Sequence, residues 1–184
     1  IPEAETVRLL NPLSNELNVL RQSLLFSGLE NIEHNIRNKN ANLRLFEFGK
    51  TYHLNPSTTR EDDVTIRYQE HLDLSMFVTG KDGEDSWNRK AEDLDIFYLK
   101  NMVENMLLKI NFPMSELRLS TEVTSSMFSD QLTYFFGEEK VLTMGLLSAD
   151  VLKYFDLKKP ICYAEIYMKT VGDCCTTRDV VYHP

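Results

Sequence analysis

The residues best suited to proton transfer or metal binding near neutral pH are four histidines, at positions 34, 53, 71 and 183. None stands beside another histidine or a cysteine at the short spacings of zinc sites, so a metal centre would have to be assembled in three dimensions. Cys162 and the vicinal pair Cys174 and Cys175 make an odd count with poor geometry for chelating one ion. They read as reduced thiols of a cytosolic protein. Seven glycines, at 28, 49, 80, 83, 137, 145 and 172, form neither GxGxxG nor GxxxxGK, so no phosphate-cradling loop is encoded. Carboxylates gather in "REDD" (60–63), "KDGED" (81–85) and "EDLD" (92–95), in loops and at a helix start. Asp93 and Asp95 suit the positive end of a helix dipole, and Ser23 has no nucleophile motif around it. Taken alone, these residues indicate a globular domain without a visible catalytic centre.

The net charge is −8, which gives no overall attraction to a polyanion. Arg37, Lys39, Arg44 and Lys50 depart from that mean, with only Glu33 and Glu47 nearby. They are candidate phosphate contacts, although cations at a helix C-terminus and on solvated strand ends are the favoured explanation. No stretch approaches the roughly 20 apolar residues of a membrane span. The first residues, "IPEAETVRLL", lack the charged and apolar regions of a secretion signal. The start at Ile1 and the end at "VVYHP", directly after an expected strand, suggest a piece of a longer polypeptide.

Positioning elements follow from periodicity. Val7 to Leu10 is short and β-compatible, and Asn11-Pro12 forbids its continuation. Ser14 is then the expected N-cap of a long helix. Leu17, Leu20, Leu24, Gly28, Leu29, Ile32 and Ile36 form its apolar stripe at three-and-four spacing. Gly28 costs that helix about 1 kcal/mol against alanine, which suggests a break or a close contact there. Strands are expected at 43–54 (with Gly49 a bulge or bend), 72–80, 116–120, 132–137, 141–147 and 161–169. "GEEK" (137–140) reads as a hairpin turn. A second helix, starting near Asp93 and stopped by Pro113, presents Leu94, Phe97, Met102 or Val103, Met106 and Ile110. A short helix follows Ser148 as N-cap. The order of elements predicts an α+β fold, a mainly antiparallel sheet with helices packed on one side.

The segment "LLNPLSNELNVLRQSLLFSGLENIEHNIRNKNANLRLFEFGKTYH" (9–53) resembles the core of the β subunit of bacterial phenylalanyl-tRNA synthetase. That family carries an Asn-Pro-Leu-Ser turn, a Leu-Arg-x-Ser-Leu stretch, a helix ending in Asn, and a Leu-Phe-Glu-x-Gly strand. Here the matching residues are Asn11, Pro12 and Ser14, then Arg21 and Ser23, then Asn35, then Phe46, Glu47 and Gly49. "SWN" (86–88), "IFYLKNMVENML" (96–107), "MGLLSADVLKYFDLKKP" (144–160) and "CYAEIYM" (162–168) follow in the family's order. The likeness covers essentially residues 1–184 as one catalytic-like core domain.

This resemblance implies a class II aminoacyl-tRNA synthetase-like fold, an antiparallel sheet flanked by helices. It further implies a non-catalytic module that supports assembly with the α subunit in a cytoplasmic heterotetramer. The whole enzyme attaches phenylalanine to tRNA using ATP and magnesium, and the tRNA is met through the complex. Two arginines that clamp ATP phosphates in a working class II site have no match. His53 stands at the first position, and "CYAEIYMKTV" holds neither glycine nor arginine. The chain alone is therefore expected to be inactive and to hold no cofactor. The alternatives are retained ATP or amino-acid binding, or direct tRNA binding through Arg37, Lys39, Arg44 and Lys50. In one loop, "SSMFSDQLTYFFGEEK" (125–140), the family's His-Pro-Gly turn is missing.

Overall fold

Two strands apolar on both faces set the architecture. They are β2 (Tyr68–Thr79) and β6 (Ile161–Tyr167). In β2, Leu74, Met76 and Val78 point one way and Phe77 the other, because side chains alternate along a strand. Each face must therefore be covered. The computed structural model describes residues 3–12, 18–59 and 63–176. One six-stranded sheet runs through them in the order β1-β2-β6-β5-β4-β3, all neighbours antiparallel. The remaining strands are β1 (Leu43–Leu54), β3 (Leu117–Ser120), β4 (Phe128–Phe136) and β5 (Glu139–Leu147).

One face packs against α3 (Ile96–Lys109) and α5 (Met168–Thr176), which contribute Leu99, Val103, Leu107, Val171 and Cys174. The other packs against α1 (Leu25–Arg37) and α4 (Ala149–Tyr154), through Leu25, Leu29, Ile32, Val151 and Leu152. A single turn, α2 (Val64–Arg67), is capped by Asp63 and precedes β2. The helices thus lie on both sides of the sheet rather than on one, because β2 and β6 carry apolar residues on both faces.

The first helix begins later than the leucine spacing predicts. Leu9 N–H donates to the Asn18 carbonyl at 2.8 Å, and Leu20 N–H donates to the Val7 carbonyl at 2.9 Å. Tyr52 N–H donates to the Arg21 carbonyl at 2.9 Å. These bonds hold residues 18–21 extended, so Leu20 belongs to a β-bridge with Val7–Leu10 and the helical spacing there is coincidental. Ser14 and Leu17 lie outside the described residues. Within α1, Gly28 resolves into a close contact, because a Cβ there would stand 2.1 Å from the Phe77 ring.

Other boundaries shift. The apolar stripe of α3 is Leu99, Val103 and Leu107, while Phe97 and Ile110 point outward. β2 begins four residues before the expected start at 72, and β4 four before 132. The hairpin between β4 and β5 turns on Gly137 in the left-handed region at φ 58°. β6 stops at Tyr167, and the expected strand end is instead the start of α5. Gly49 makes no bulge, since β1 and β2 stay in register from Leu43–Thr79 to Leu54–Tyr68. Ser148 does precede α4, but its hydroxyl makes no capping bond.

Candidate functional site: a polar cleft on the central sheet

Toward the α1 side, the sheet changes from apolar to polar along the strands. Antiparallel register places Glu47, Ser75, Glu165, Thr143 and Thr133 in one row across five strands. The next row is Gly49, Asp73 and Tyr167, and the previous one carries Phe77, Tyr163 and Gln131. α1 covers only the apolar end, leaving the polar rows as the floor of a cleft. Two adjoining lobes of about 530 and 680 Å³ share Glu5, Gln22, His53, Lys140, Glu165 and Tyr167.

Each wall has a local cause. Gln131, buried in β4, accepts from Thr124 N–H at 3.0 Å and Ser125 N–H at 3.2 Å. Its amide donates to Thr124 Oγ1 at 3.0 Å and Thr133 Oγ1 at 2.9 Å. This satisfied amide holds loop 124–127, the segment without the His-Pro-Gly turn, against the cleft. The opposite wall is Gln22 and Ser23. Ser23 Oγ accepts from Leu25 N–H at 3.1 Å and sits 3.4 Å from Glu165 Oε1, a weak bond at that length.

That wall is fixed by residues of the family pattern. Arg21 crosses β1, donating from Nε to the Lys50 carbonyl at 2.8 Å and from Nη1 to Glu47 Oε1 at 2.6 Å. Glu47 also accepts from Ser27 of α1 at 3.2 Å. Gly49 leaves the room for this crossing, because a Cβ there would stand 2.4 Å from the Arg21 guanidinium. Arg21, Ser23, Glu47 and Gly49 therefore come together. Asn35 instead accepts from Asn40 N–H at 3.0 Å through its carbonyl, closing the end of α1. Asn11 and Pro12 are exposed, and Phe46 points outward from the opposite face of β1.

The electrostatics of the cleft are acidic and partly dry. Burial pushes the Glu165 carboxyl up to about 6, with Asp73 adding to the rise. Burial also raises Asp73, while a 2.8 Å bond from Thr51 Oγ1 opposes it. His53 falls below its ordinary value, chiefly by burial and then by His71, whose ring centroid is 5.2 Å away. Burial and Glu165 push Tyr167 up to about 12. Among the described lining residues there is no arginine, and the one lysine is Lys140. Three carboxylates, Glu5, Asp73 and Glu165, outnumber it. Among the described residues no cluster of His, Cys, Asp or Glu is placed to hold a metal ion.

The four candidate phosphate contacts do not form one patch. Arg37 and Lys39 end α1, with Arg37 paired to Glu33. Arg44 and Lys50 project from the other face of the sheet, six residues apart on β1, or about 20 Å. Arg44 donates to Tyr98 Oη at 2.9 Å and to the Asp82 carbonyl at 2.8 Å. Lys50 pairs with Glu70 at 2.6 Å.

Comparison with known proteins places this geometry. The sequence model of the "Phenylalanyl tRNA synthetase beta chain CLM domain" family matches residues 2–168. The chain belongs to this family. It is 36% identical over 182 residues to the phenylalanine–tRNA ligase β subunit of Bacteroides fragilis, covering 98% of this chain and 22% of that one. The corresponding subunit of Porphyromonas gingivalis is 32% identical, over 90% of this chain and 20% of its own length. The chain thus spans about a fifth of these relatives. A pyrrolysyl-tRNA synthetase of Desulfitobacterium hafniense superposes with TM-score 0.64 at 14% identity, over 92% of this chain and 52% of its own. The fold is that of the class II synthetases.

Sequence reading named Arg21, Ser23, Glu47 and Gly49 as family-pattern residues without foreseeing the contacts that join them, and it missed the cleft floor. The available signal was polar residues at period two inside apolar runs: Asp73 and Ser75 in β2, and Tyr163, Glu165 and Tyr167 in β6. His53 lies on the cleft wall, where family likeness had put it in place of an arginine.

Proposed function

We propose that the chain is the non-catalytic core module of a phenylalanyl-tRNA synthetase β subunit. In this role residues 1–184 form one unit of a longer cytoplasmic subunit that assembles with the α subunit into a heterotetramer. Phenylalanine attachment to tRNA, with its ATP and magnesium, is then the work of the whole enzyme. The observation that carries this reading is the charge of the cleft. A nucleotide triphosphate needs fixed cations, preferably bidentate arginines, and the described lining offers carboxylates instead. The residues present do not fit ATP.

Partner docking has separate support. On the outer half of β1 and β2, Phe46, Phe48 and Leu72 are 76%, 52% and 43% exposed, an apolar strip flanked by Arg44 and Lys50. Such strips mark interaction surfaces. Direct phosphate contact is the weaker reading, since Arg37, Arg44 and Lys50 already hold partners within the fold. Among the described residues no helix is long and apolar enough to cross a membrane.

The test pairs two measurements. The chain alone should show no phenylalanine-dependent exchange between ATP and pyrophosphate. A full β subunit carrying Phe46→Asp and Phe48→Asp should lose co-elution with purified α subunit. Exchange by the isolated chain, or unimpaired assembly and aminoacylation by the double variant, would overturn the proposal.

A further inference from the structure

The two edges of the sheet are built differently. One is β3, only four residues long. A strand that short offers little to another chain, which is one way folded proteins blunt an edge. The other is β1, twelve residues long, with no proline and an unbroken register against β2. Two bonds show which of its backbone groups point away from β2. Tyr52 N–H donates to the Arg21 carbonyl at 2.9 Å, and the Lys50 carbonyl accepts from Arg21 Nε at 2.8 Å. In an antiparallel strand that direction repeats every second residue, so the N–H and C=O of Arg44, Phe46 and Phe48 also face outward. Among the described residues none of these groups has a hydrogen-bond partner.

The side chains beside this free stretch complete the pattern. Phe46 and Phe48 project on the same side of β1 and are 76% and 52% exposed. Arg44, next along that face, bonds to the Tyr98 hydroxyl and the Asp82 carbonyl, neither of which is a counter-charge. A row of open backbone groups flanked by apolar side chains is what an added strand requires, because main-chain bonds hold it and alternate side chains select it. The matching strand carries apolar residues opposite Phe46 and Phe48 and a carboxylate opposite Arg44. A second copy of β1 fits poorly. The antiparallel register that pairs all of 44–50 with itself sets Glu47 against Glu47 and Arg44 against Lys50, like charges directly opposite. We propose that the α subunit supplies a strand of this kind, which adds to the free edge of β1 and continues the six-stranded sheet across the interface. The inference rests on the proposed assembly with the α subunit and adds the mode of contact.

Position 46 separates main-chain from side-chain contact. Phe46→Ala removes the ring and keeps the outward N–H. Phe46→Pro removes both, and an edge strand tolerates it because that N–H bonds nothing within the fold. In full β subunits titrated with purified α subunit, Phe46→Pro should bind about tenfold or more weakly than Phe46→Ala, since an acceptor of the added strand is left unpaired. Residue-resolved hydrogen exchange needs no variant and decides the matter if Phe46→Pro does not fold. In the free β subunit the amides of 44, 46 and 48 should exchange fast, while those of 45, 47 and 49, which face β2, are protected. Adding α subunit should slow 44, 46 and 48 about tenfold or more. The inference is overturned if α leaves their exchange unchanged, or if folded Phe46→Pro and Phe46→Ala bind α alike. Equal protection of these amides in β subunit that self-associates without α would also overturn it, by assigning the edge to a second copy. Loss of assembly in the Phe46→Asp, Phe48→Asp double variant with exchange unchanged by α refutes strand addition alone. Normal assembly of that double variant refutes the docking reading itself.

Discussion

Replacing Gly28 with alanine should destabilise the domain, against the expectation for a glycine inside a helix. Alanine improves helix propensity by about 1 kcal/mol. At this position, however, the added methyl would stand 2.1, 2.3 and 2.8 Å from three atoms of the Phe77 ring. Ordinary carbon contacts lie at roughly 3.5–4.0 Å, so the ring must retreat by about 1.5 Å. It cannot do so freely, being 2% exposed and held against Tyr163 at 4.9 Å. Overpacking of this kind costs about 1–3 kcal/mol, and a ring boxed in on its far side belongs at the upper end. Subtracting the propensity gain leaves a net loss of about 2 kcal/mol. For a chain of this size that lowers Tm by about 4–8 °C. The control is Gly172→Ala in α5, where an added Cβ would meet nothing within 4 Å, so propensity acts alone and stability should rise by up to about 1 kcal/mol. Adding Phe77→Leu to Gly28→Ala should recover about 1–2 kcal/mol relative to the sum of the single changes. Urea unfolding of the four variants checks all of this. Stabilisation by Gly28→Ala comparable to that by Gly172→Ala would refute the packing argument.

Arg21 and Glu47 should couple by about 1 kcal/mol in a double-mutant cycle, a modest value because their side chains are 41% and 30% exposed; a coupling near zero would show that the brace is ornamental. The pH response of Glu165 follows from its folded-state value near 6 against 4.5 when unfolded. Between those values the folded chain binds more protons, so this group lowers stability as pH rises through the window, by about 2 kcal/mol in total. Glu165→Gln should therefore gain on the wild type between pH 4 and 7, and parallel profiles would contradict the assignment. Cys162 is buried with its thiol pushed up to about 11, and Cys174 is also buried. Iodoacetamide should modify native chain first at Cys175, as read by peptide mass spectrometry, and equal labelling of all three without denaturant would disprove it.

What was legible in the sequence was local. Apolar and aromatic runs bounded by turn residues revealed the strands of the sheet, while alternation helped only imperfectly at 43–54, since β2 and β6 are buried on both faces. Phe97 misled because an aromatic at helical spacing counts toward a stripe whether or not the sheet lies beneath it; the true stripe at 99, 103 and 107 is one position out of phase with it. The early leucines misled for a tertiary reason, since bonds to Val7, Leu9 and Tyr52 capture backbone groups that a helix would have used. α5 was missed because the apolar run of β6 continues through Met168 without a breaker. Polar residues at period two in β2 and β6 hinted at the cleft floor, but its full row from Glu47 to Thr133 joins residues from five strands by register, which no single stretch encodes.

The residues that revealed the family and the residues that floor the cleft are parts of one arrangement. Arg21 can cross β1 only because position 49 has no Cβ, and it finds Glu47 on the same face because strand side chains repeat every second residue. The crossing fixes the chain just before α1. That places Ser23, two residues on, where its hydroxyl receives Leu25 N–H and approaches Glu165. The Leu-Arg-x-Ser-Leu and Leu-Phe-Glu-x-Gly patterns are thus requirements of architecture, a clamp between the start of a helix and an edge strand. None of those residues would have to touch a phosphate. A module can therefore lack the arginine clamps for ATP and still need this brace, since the brace sets the width of the cleft and the position of the β1 edge whose outer face carries Phe46 and Phe48. A recognisable family pattern and a cleft whose described lining has no arginine are compatible because different side chains carry them.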